Sequence, residues 1–296
     1  LDRVHNCAIR DGGSIGVNFL NSAYPENSFA SNTVSGHAQH ALDVSLGSMP
    51  YIARSNTISG NGDNTVKVTG GEAVTSGLWP NLGAAYEIAG DVIFNAAYPY
   101  DPVIFATDVT VTFGGSLRAY TDVVFREGVT AVMNGGVLVS GFQDPSMTIG
   151  AGGRYSFASG AALDVGDGAS GGADGALKAG GAGDPVLFTS SREPAAAGDW
   201  PGVRFNTRAL NTSVLDNVTI EYAGAGGTAS VRVAADIGAI RNSTVRTGGG
   251  PGVLFTDAGY TRDGFSTNTV SGNAQHAVEL HAHNVPYLGG GNSISG

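Results

Sequence analysis

The stretch NTVSGHAQHALDV, residues 32–44, returns as NTVSGNAQHAVEL at residues 268–280. Around it, residues 1–60 align to residues 237–296 without a gap, and 24 of the 60 positions are identical. Self-similarity at a fixed period is the signature of repeat proteins. We therefore predict that 1–60 and 237–296 are equivalent copies of a 236-residue repeat.

A shorter interval is marked by asparagines that stand near β-branched residues. A period in the twenties, with short strands between glycine and asparagine turns, is typical of one coil of a solenoid. Asparagine amides stacked at one corner can hydrogen-bond from coil to coil, and asparagine tolerates a left-handed turn backbone. Spacings of 24 to 26 residues separate the asparagines within each of two groups, which are Asn6, Asn32 and Asn56, and Asn217, Asn242, Asn268 and Asn292.

Alternating apolar residues supply the predicted core of each coil. Val34, Leu42 and Val44 occupy such positions in the first copy, and Val270, Val278 and Leu280 repeat them. The pattern predicts an all-β protein, a single-stranded parallel β-helix (solenoid). At roughly 23 residues per coil, the chain would make about twelve coils.

Composition agrees with this fold and narrows the partners. The chain has 47 glycines and only 14% charged residues, which favours short strands and tight turns. A net charge of −10 argues against binding to nucleic acid or anionic lipid. No apolar run reaches the ~18 residues of a membrane span, and the single cysteine, Cys7, excludes an internal disulfide.

The whole chain, 1–296, is predicted to be one continuous β-helix fragment. Its middle module, 82–206, has a less regular pattern, with strands expected at 86–94, 103–113, 115–125, 129–139, 154–158, 185–189 and 202–205. Within it, the glycine-rich segment 164–183 is expected to form an exposed loop. Because the copies look cut from a longer array, the terminal coils are expected to expose strand edges and to allow end-to-end self-association.

The run GALKAGGAGDPVLFTSSREPAAAGDWPGVRF, residues 175–205, and LDNVTIEYAGAGG, residues 215–227, resemble the repeat proteins of bacterial cell surfaces that form right-handed parallel β-helices, with the pectin-lyase-like superfamily fold. The resemblance implies a right-handed coil, three stacked sheets and an extracellular or cell-surface location as part of a larger protein. The same fold serves polysaccharide lyases, glycosidases, epimerases and non-catalytic adhesins, so it does not decide the activity.

One set of residues suits carbohydrate chemistry. A glycosidase needs two carboxylates about 5 to 9 Å apart, beside aromatic rings that hold the sugar. Asp199 and Glu221, about one coil apart, are the candidate catalytic pair, and Trp200 and Tyr222 are the candidate ligand-binding rings. The alternative is structural: Asp199 caps a turn and Trp200 covers the core. A lyase would need a base, for which Arg204, Arg208 and Arg232 remain.

Other residues suit a metal ion. Asp164, Asp167 and Asp174 could supply oxygen ligands for calcium, although their spacing matches no standard calcium motif. His281 and His283, with Glu279, have the spacing of a zinc or nickel site, but the first copy has Ser45 and Gly47 at the histidine positions. No resident cofactor is expected, and calcium is the alternative.

Two further features are interpreted as structural. His40 and His276 match between the copies and are expected to fill one packed or hydrogen-bonded corner. Thr107, Thr110 and Thr112 invite an ice-binding hypothesis, which is disfavoured because these threonines do not recur along the sequence from coil to coil.

Taken together, these patterns predict a non-catalytic extracellular structural or adhesive module. Its extended surface would bind glycans or surface proteins weakly and many times over. The alternative is a polysaccharide-active enzyme, a glycoside hydrolase or lyase of the pectin-lyase-like superfamily.

Overall fold

The computed structural model describes residues 3–19, 28–96, 101–168, 172–256 and 258–296. Across these ranges nearly all regular structure is short β-strand, and the strand pairings are parallel apart from one antiparallel bridge between Gly141 and Asp174. The chain is a right-handed parallel β-helix, as the sequence predicts. Glycines and asparagines turn the chain after each strand of a few residues, so that each strand pairs with its counterpart one coil away.

Regular structure in the described ranges consists of short strands and a few 3-10 segments. The strands up to residue 139 are β1 Arg3–His5, β2 Ala8–Arg10, β3 Val17–Phe19, β4 Ser28–Ala30, β5 Thr33–Ser35, β6 His40–Ser45, β7 Thr57–Ser59, β8 Asp63–Ala73, β9 Gly77–Trp79, β10 Tyr86–Phe94, β11 Val103–Phe105, β12 Thr110–Phe113, β13 Leu117–Ala119, β14 Val123–Phe125, β15 Thr130–Met133 and β16 Val137–Val139. The remaining strands are β17 Ser146–Ile149, β18 Arg154–Phe157, β19 Leu163–Val165, β20 Ala176–Gly180, β21 Val186–Ser190, β22 Val203–Phe205, β23 Val214–Asp216, β24 Val218–Glu221, β25 Val231–Val233, β26 Asp236–Ile237, β27 Ala239–Arg241, β28 Thr244–Arg246, β29 Val253–Phe255, β30 Tyr260–Thr261, β31 Phe265–Ser266, β32 Thr269–Ser271, β33 Val278–Glu279 and β34 Ser293–Ile294. The 3-10 segments are Leu46–Tyr51, Ala225–Gly227 and Ala282–Tyr287.

Three parallel sheets run along the stack. The first sheet holds β10, β12, β15, β18, β21, β24, β28, β32 and β34. The second sheet holds the end of β10, then β13, β16, β19, β22, β25, β29 and β33. The third sheet holds β9, β11, β14, β17, β20, β23, β27 and β31.

The stack changes phase between the first repeat copy and the middle module. In the second copy, β33 belongs to the second sheet, where Val278 pairs with Val253. The equivalent strand of the first copy, β6, pairs instead with the start of β8. The start of β8 pairs with β10, and β10 pairs with β12, so β6 is in line with the first sheet. The two copies therefore share their local structure but not their position relative to the middle module.

A continuous apolar core fills the interior from Phe19 to Ala277. Aromatic rings stack on the third sheet, where the Trp79 and Phe105 rings lie 4.8 Å apart and the Phe105 and Phe125 rings 4.7 Å apart. These large rings face inward because side chains alternate across each short strand. Burial of these rings against one another removes apolar surface from water and so stabilises the stacking of these coils.

The asparagines form the predicted ladder, but they fall into two groups. The backbone N–H of Asn32 donates to Asn56 Oδ1, and that of Asn268 donates to Asn292 Oδ1, both at 3.0 Å. Asn6, Asn217 and Asn242 instead adopt left-handed backbone, with φ of 56°, 61° and 52°. Treating these three as equivalent to the ladder asparagines was wrong, because they precede the ladder position by one residue. Cys7, Val218 and Ser243 occupy that position in their coils.

Several predicted strands of the middle module are in fact pairs of strands. The expected strand 103–113 is β11 and β12, and 115–125 and 129–139 divide in the same way. Each pair is separated by a corner such as residues 107–108, where Asp108 has a φ of 58°. The coil here is only 20 residues long, since Val103 pairs with Val123. The chain therefore turns after fewer residues than the continuous run of β-favouring residues suggests.

The glycine-rich segment 164–183 is only partly a loop. Asp164 lies in β19 and residues 176–180 form β20, whose Leu177 is fully buried. Residues 169–171 lie outside the described part of the chain. The expectation of one exposed loop was wrong for residues 164–165 and 176–180, because alternating apolar side chains of these two strands pack into the core.

Candidate functional site

A polar groove lies on the outer face of the second sheet. Its volume is about 500 Å³, within the range of small-ligand sites. Strands β16, β19, β22 and β25 form its floor, and the start of the glycine-rich segment forms one wall. The groove is lined by Leu138, Asp164, Gly166, Asp167, Gly168, Arg204, Asn206, Thr228, Ala229 and Arg232.

The floor is built by one column of outward-facing side chains. Leu138 pairs with Asp164, Asp164 with Arg204, and Arg204 with Arg232, each one coil further along. Residues in these positions point outward because their neighbours, such as Val203 and Phe205, fill the core. Parallel in-register pairing thus brings together residues that are 26 to 40 positions apart in the sequence.

Asp164 and Arg204 form a two-point ion pair in the middle of this column. Arg204 Nε donates to Asp164 Oδ1 at 2.6 Å, and Nη2 donates to Oδ2 at 2.5 Å. Asn206 Nδ2 adds a third bond to Asp164 Oδ1 at 3.2 Å. This carboxylate is therefore held by its neighbours, and the pair fixes the position of the Arg204 guanidinium.

The three aspartates of the proposed calcium site are placed differently from the expectation. Asp164 is engaged by Arg204, and Asp174 pairs with Arg208, whose Nε lies 2.7 Å from Asp174 Oδ1. Asp167 lines the groove. Across the described ranges, no cluster of three histidine, cysteine or acidic residues is arranged to hold a metal ion. The carboxylate oxygens that calcium would need on Asp164 and Asp174 are instead used by arginines.

His281 and His283 come together but not around a metal-binding carboxylate. Their exposed rings lie 5.9 Å apart and nearly parallel, at 27°. The described residues contain no three-residue ligand set here either. His40 lies 3.7 Å from Asp43 and is half-buried, whereas His276 is exposed, so the two matched histidines do not fill equivalent packed corners.

Asp199 caps the turn that follows β21, as in the structural alternative. Its Oδ2 accepts from the Ala196 amide and the Ser190 hydroxyl, both at 2.8 Å. Burial raises the pKa of this carboxyl, but hydrogen bonds from Ala196, Ser190 and Arg192 outweigh it and hold the pKa below its usual value. A general acid needs the opposite shift, so the environment of Asp199 suits an ionised capping group.

Trp200 is a core residue rather than a binding platform. Its side chain is completely buried, and its ring stacks on Phe157 with centroids 4.3 Å apart. The indole Nε1–H donates to the Glu221 carbonyl at 2.9 Å. With no exposed ring face, Trp200 cannot stack on a sugar as the candidate ligand site required.

Glu221 lies one coil from Asp199, as expected, but it too is engaged. Its Oε1 accepts from Thr189 Oγ1 at 3.0 Å, and Arg246 Nη2 lies 2.7 Å from Oε2. The adjacent Tyr222 is half-buried and has a left-handed backbone with a φ of 60°. Its carbonyl accepts from the Asp199 amide at 2.9 Å, which confirms the one-coil spacing.

Of the threonines in the ice-binding hypothesis, Thr110 recurs on one neighbouring coil, whereas Thr112 pairs with Glu87 and Val132. Thr110 pairs with Thr130, and Thr219, Thr244 and Thr269 stack on successive coils of the first sheet. The neighbouring outward column contains charged Glu221 and Arg246. The threonine column therefore does not belong to a uniform threonine face.

The sequence indicates Arg204 and Arg232 as possible bases but does not place them together. The signal that could have found the groove is the three-residue strand pattern Leu163–Val165, Val203–Phe205 and Val231–Val233. Each strand has two buried apolar residues around one polar residue. Aligning the three patterns puts Asp164, Arg204 and Arg232 in one column.

Comparisons with known proteins assign this chain to no family. No protein-family model matches the chain, and no curated protein matches it. A solved structure, entitled "Crystal structure of TibC-catalyzed hyper-glycosylated TibA55-350 fragment", is similar over 98% of this chain and 97% of that chain, at 14% identity and a TM-score of 0.22. At this TM-score the similarity carries no argument about function. Separately, none of the helical segments in the described ranges is long and apolar enough to cross a membrane.

Proposed function

We propose that this chain is a non-catalytic structural or adhesive module of an extracellular or cell-surface protein. The groove over Asp164, Arg204 and Arg232 would be its contact site for glycans or protein partners. A solenoid spaces such sites at fixed intervals, and repetition of the module would convert weak contacts into useful avidity.

The observation that carries the proposal is the state of the candidate catalytic carboxylates. Asp199 is tied into a turn, and Glu221 is held by Thr189 and Arg246. In the groove, Asp164 is likewise held by Arg204. Glycoside hydrolysis needs one protonated and one ionised carboxyl facing the same sugar. The engaged carboxylates are better suited to holding surface geometry than to proton transfer.

The alternative is a polysaccharide lyase, and one observation favours it. Arg232 lies in the groove and forms no ion pair with a carboxylate of the described residues. In a lyase, a cationic side chain beside the substrate would assist proton abstraction. This alternative predicts chain cleavage that depends on Arg232.

The test combines binding and turnover on the same protein. The purified chain is incubated with a panel of neutral and acidic polysaccharides, and binding and new chain ends are both measured. Saturable binding without cleavage supports the display module. Cleavage that is abolished by Arg232→Gln would establish the lyase alternative in its place.

A further inference from the structure

Two arginines stand in register at the centre of the groove. Arg204 and Arg232 are direct partners on neighbouring parallel strands. Like charges on paired strands repel each other and destabilise the sheet. Asp164, on the preceding strand of the sheet, accepts two hydrogen bonds from Arg204. Its negative charge therefore neutralises only one of the two guanidinium groups.

Arg232 differs from the other arginines of the later coils. Arg241, Arg246 and Arg262 each reach back one coil to a carboxylate, on Asp216, Glu221 and Asp236 respectively. The residue one coil before Arg232 is not a carboxylate but Arg204. Its Nη1 donates only a long hydrogen bond, 3.4 Å, to Asn206 Oδ1, and it takes part in no ion pair of the described residues.

The surroundings of Arg232 suit one carboxylate that lies next to an aliphatic side chain. A guanidinium binds a carboxylate through two parallel hydrogen bonds, and partial enclosure strengthens the pair. Half-buried Leu254 pairs with Arg232 on the next strand, just outside the groove lining, whereas half-buried Leu138 lies three strands from Arg232. None of the described lining residues has an aromatic ring, so the groove offers no stacking platform for a neutral sugar.

The overall charge limits the kind of acidic partner. At a net charge of −10, the chain repels a polyanion as a whole, although the arginine pair attracts a single carboxylate locally. We propose that the groove binds a short acidic peptide segment, in which an aspartate or glutamate side chain pairs with Arg232 and a neighbouring aliphatic side chain contacts Leu254, beside the groove. The proposal rests on the proposed function and names the partner class of that site.

The test uses two blocked pentapeptides, Ala-Leu-Glu-Leu-Ala and Ala-Leu-Gln-Leu-Ala, titrated into the whole chain and followed by NMR. The glutamate peptide is expected to bind saturably and more weakly as salt is raised, and the glutamine peptide at least about tenfold more weakly. Arg232→Gln should weaken binding of the glutamate peptide by about tenfold or more, and Arg232→Lys by less.

Arg118→Gln is the matched control. Arg118 is exposed on the same outward column, paired with Leu138, but lies outside the groove lining. Equal weakening by Arg118→Gln and Arg232→Gln would overturn the proposal, as would equal binding of the two peptides. If oligogalacturonate binds through Arg232 and neither peptide does, the peptide inference fails while the display function stands. Cleavage of oligogalacturonate would overturn both.

Discussion

The backbone N–H of Asn32 donates to Asn56 Oδ1 at 3.0 Å, and Asn32 Nδ2 donates to the Val4 carbonyl at 2.9 Å. One buried residue thus bridges three successive coils. Asn268 does the same in the second copy, where its side chain accepts from the Ser243 amide at 3.0 Å and donates to the Ile240 carbonyl at 2.9 Å. Both copies of the repeat therefore build this corner with the same kinds of hydrogen bond.

The asparagine ladder should carry measurable stability. Replacing Asn268 by alanine leaves the Ser243 N–H and the Ile240 carbonyl without their partners in a buried corner. We expect the free energy of unfolding to fall by about 2 to 4 kcal/mol, as measured by urea denaturation. The control is Asn211→Ala, at an exposed position outside the ladder, which should change stability by less than about 0.5 kcal/mol. Equal losses in the two variants would contradict the ladder's role.

Trp200 should matter for stability. Trp200→Ala removes a fully buried ring stacked on Phe157, so the free energy of unfolding should fall by about 3 to 5 kcal/mol. Trp200→Phe keeps most of the packing but loses the bond to the Glu221 carbonyl, and should cost less. Phe142→Ala is the control, because that ring is 93% exposed. Wild-type stability in Trp200→Ala would show that the ring is not part of the core.

Asp199 should give the protein part of its acid sensitivity. Because its pKa is lower when folded than the usual 3.8, its ionised form contributes stability above pH 3.8. That contribution is lost as the pH falls through the lower folded value. Wild type should therefore exceed Asp199→Asn in unfolding free energy at pH 7, and the difference should shrink at pH 3. Asp263→Asn, at an exposed position, is the control. If wild type and Asp199→Asn differed in unfolding free energy by the same amount at pH 7 and pH 3, the mechanism would be contradicted.

Gly180 should resist substitution for a steric reason. It has a φ of 89°, and a Cβ there would lie 1.8 Å from the Asp216 carbonyl oxygen on the next coil. Gly180→Ala should destabilise by more than about 2 kcal/mol, since both backbone strain and a clash must be relieved. Gly136→Ala meets nothing closer than 3.9 Å and should be neutral or slightly stabilising. Thermal unfolding of the two variants compares them directly.

The sequence by itself determined the β-helix, the internal similarity of residues 1–60 and 237–296 and the existence of a hydrogen-bonded corner. These follow from local patterns: residues such as Val34 and Val270 recur at the same positions, and alternation across a short strand decides which side chains face inward. The spacing of Asp199 and Glu221 also predicted that they lie about one coil apart.

Only the tertiary structure decided which polar residues meet. Coil length varies, from 20 residues between Val103 and Val123 to 40 between Asp164 and Arg204, so sequence spacing does not reveal the register of the outward columns. Those columns paired Asp164 with Arg204 and put Arg232 beside it, while the packing of the same coils buried Trp200. A polar side chain on this surface acquires its role from the residue one coil away, and that neighbour is fixed by the packing of the core beneath.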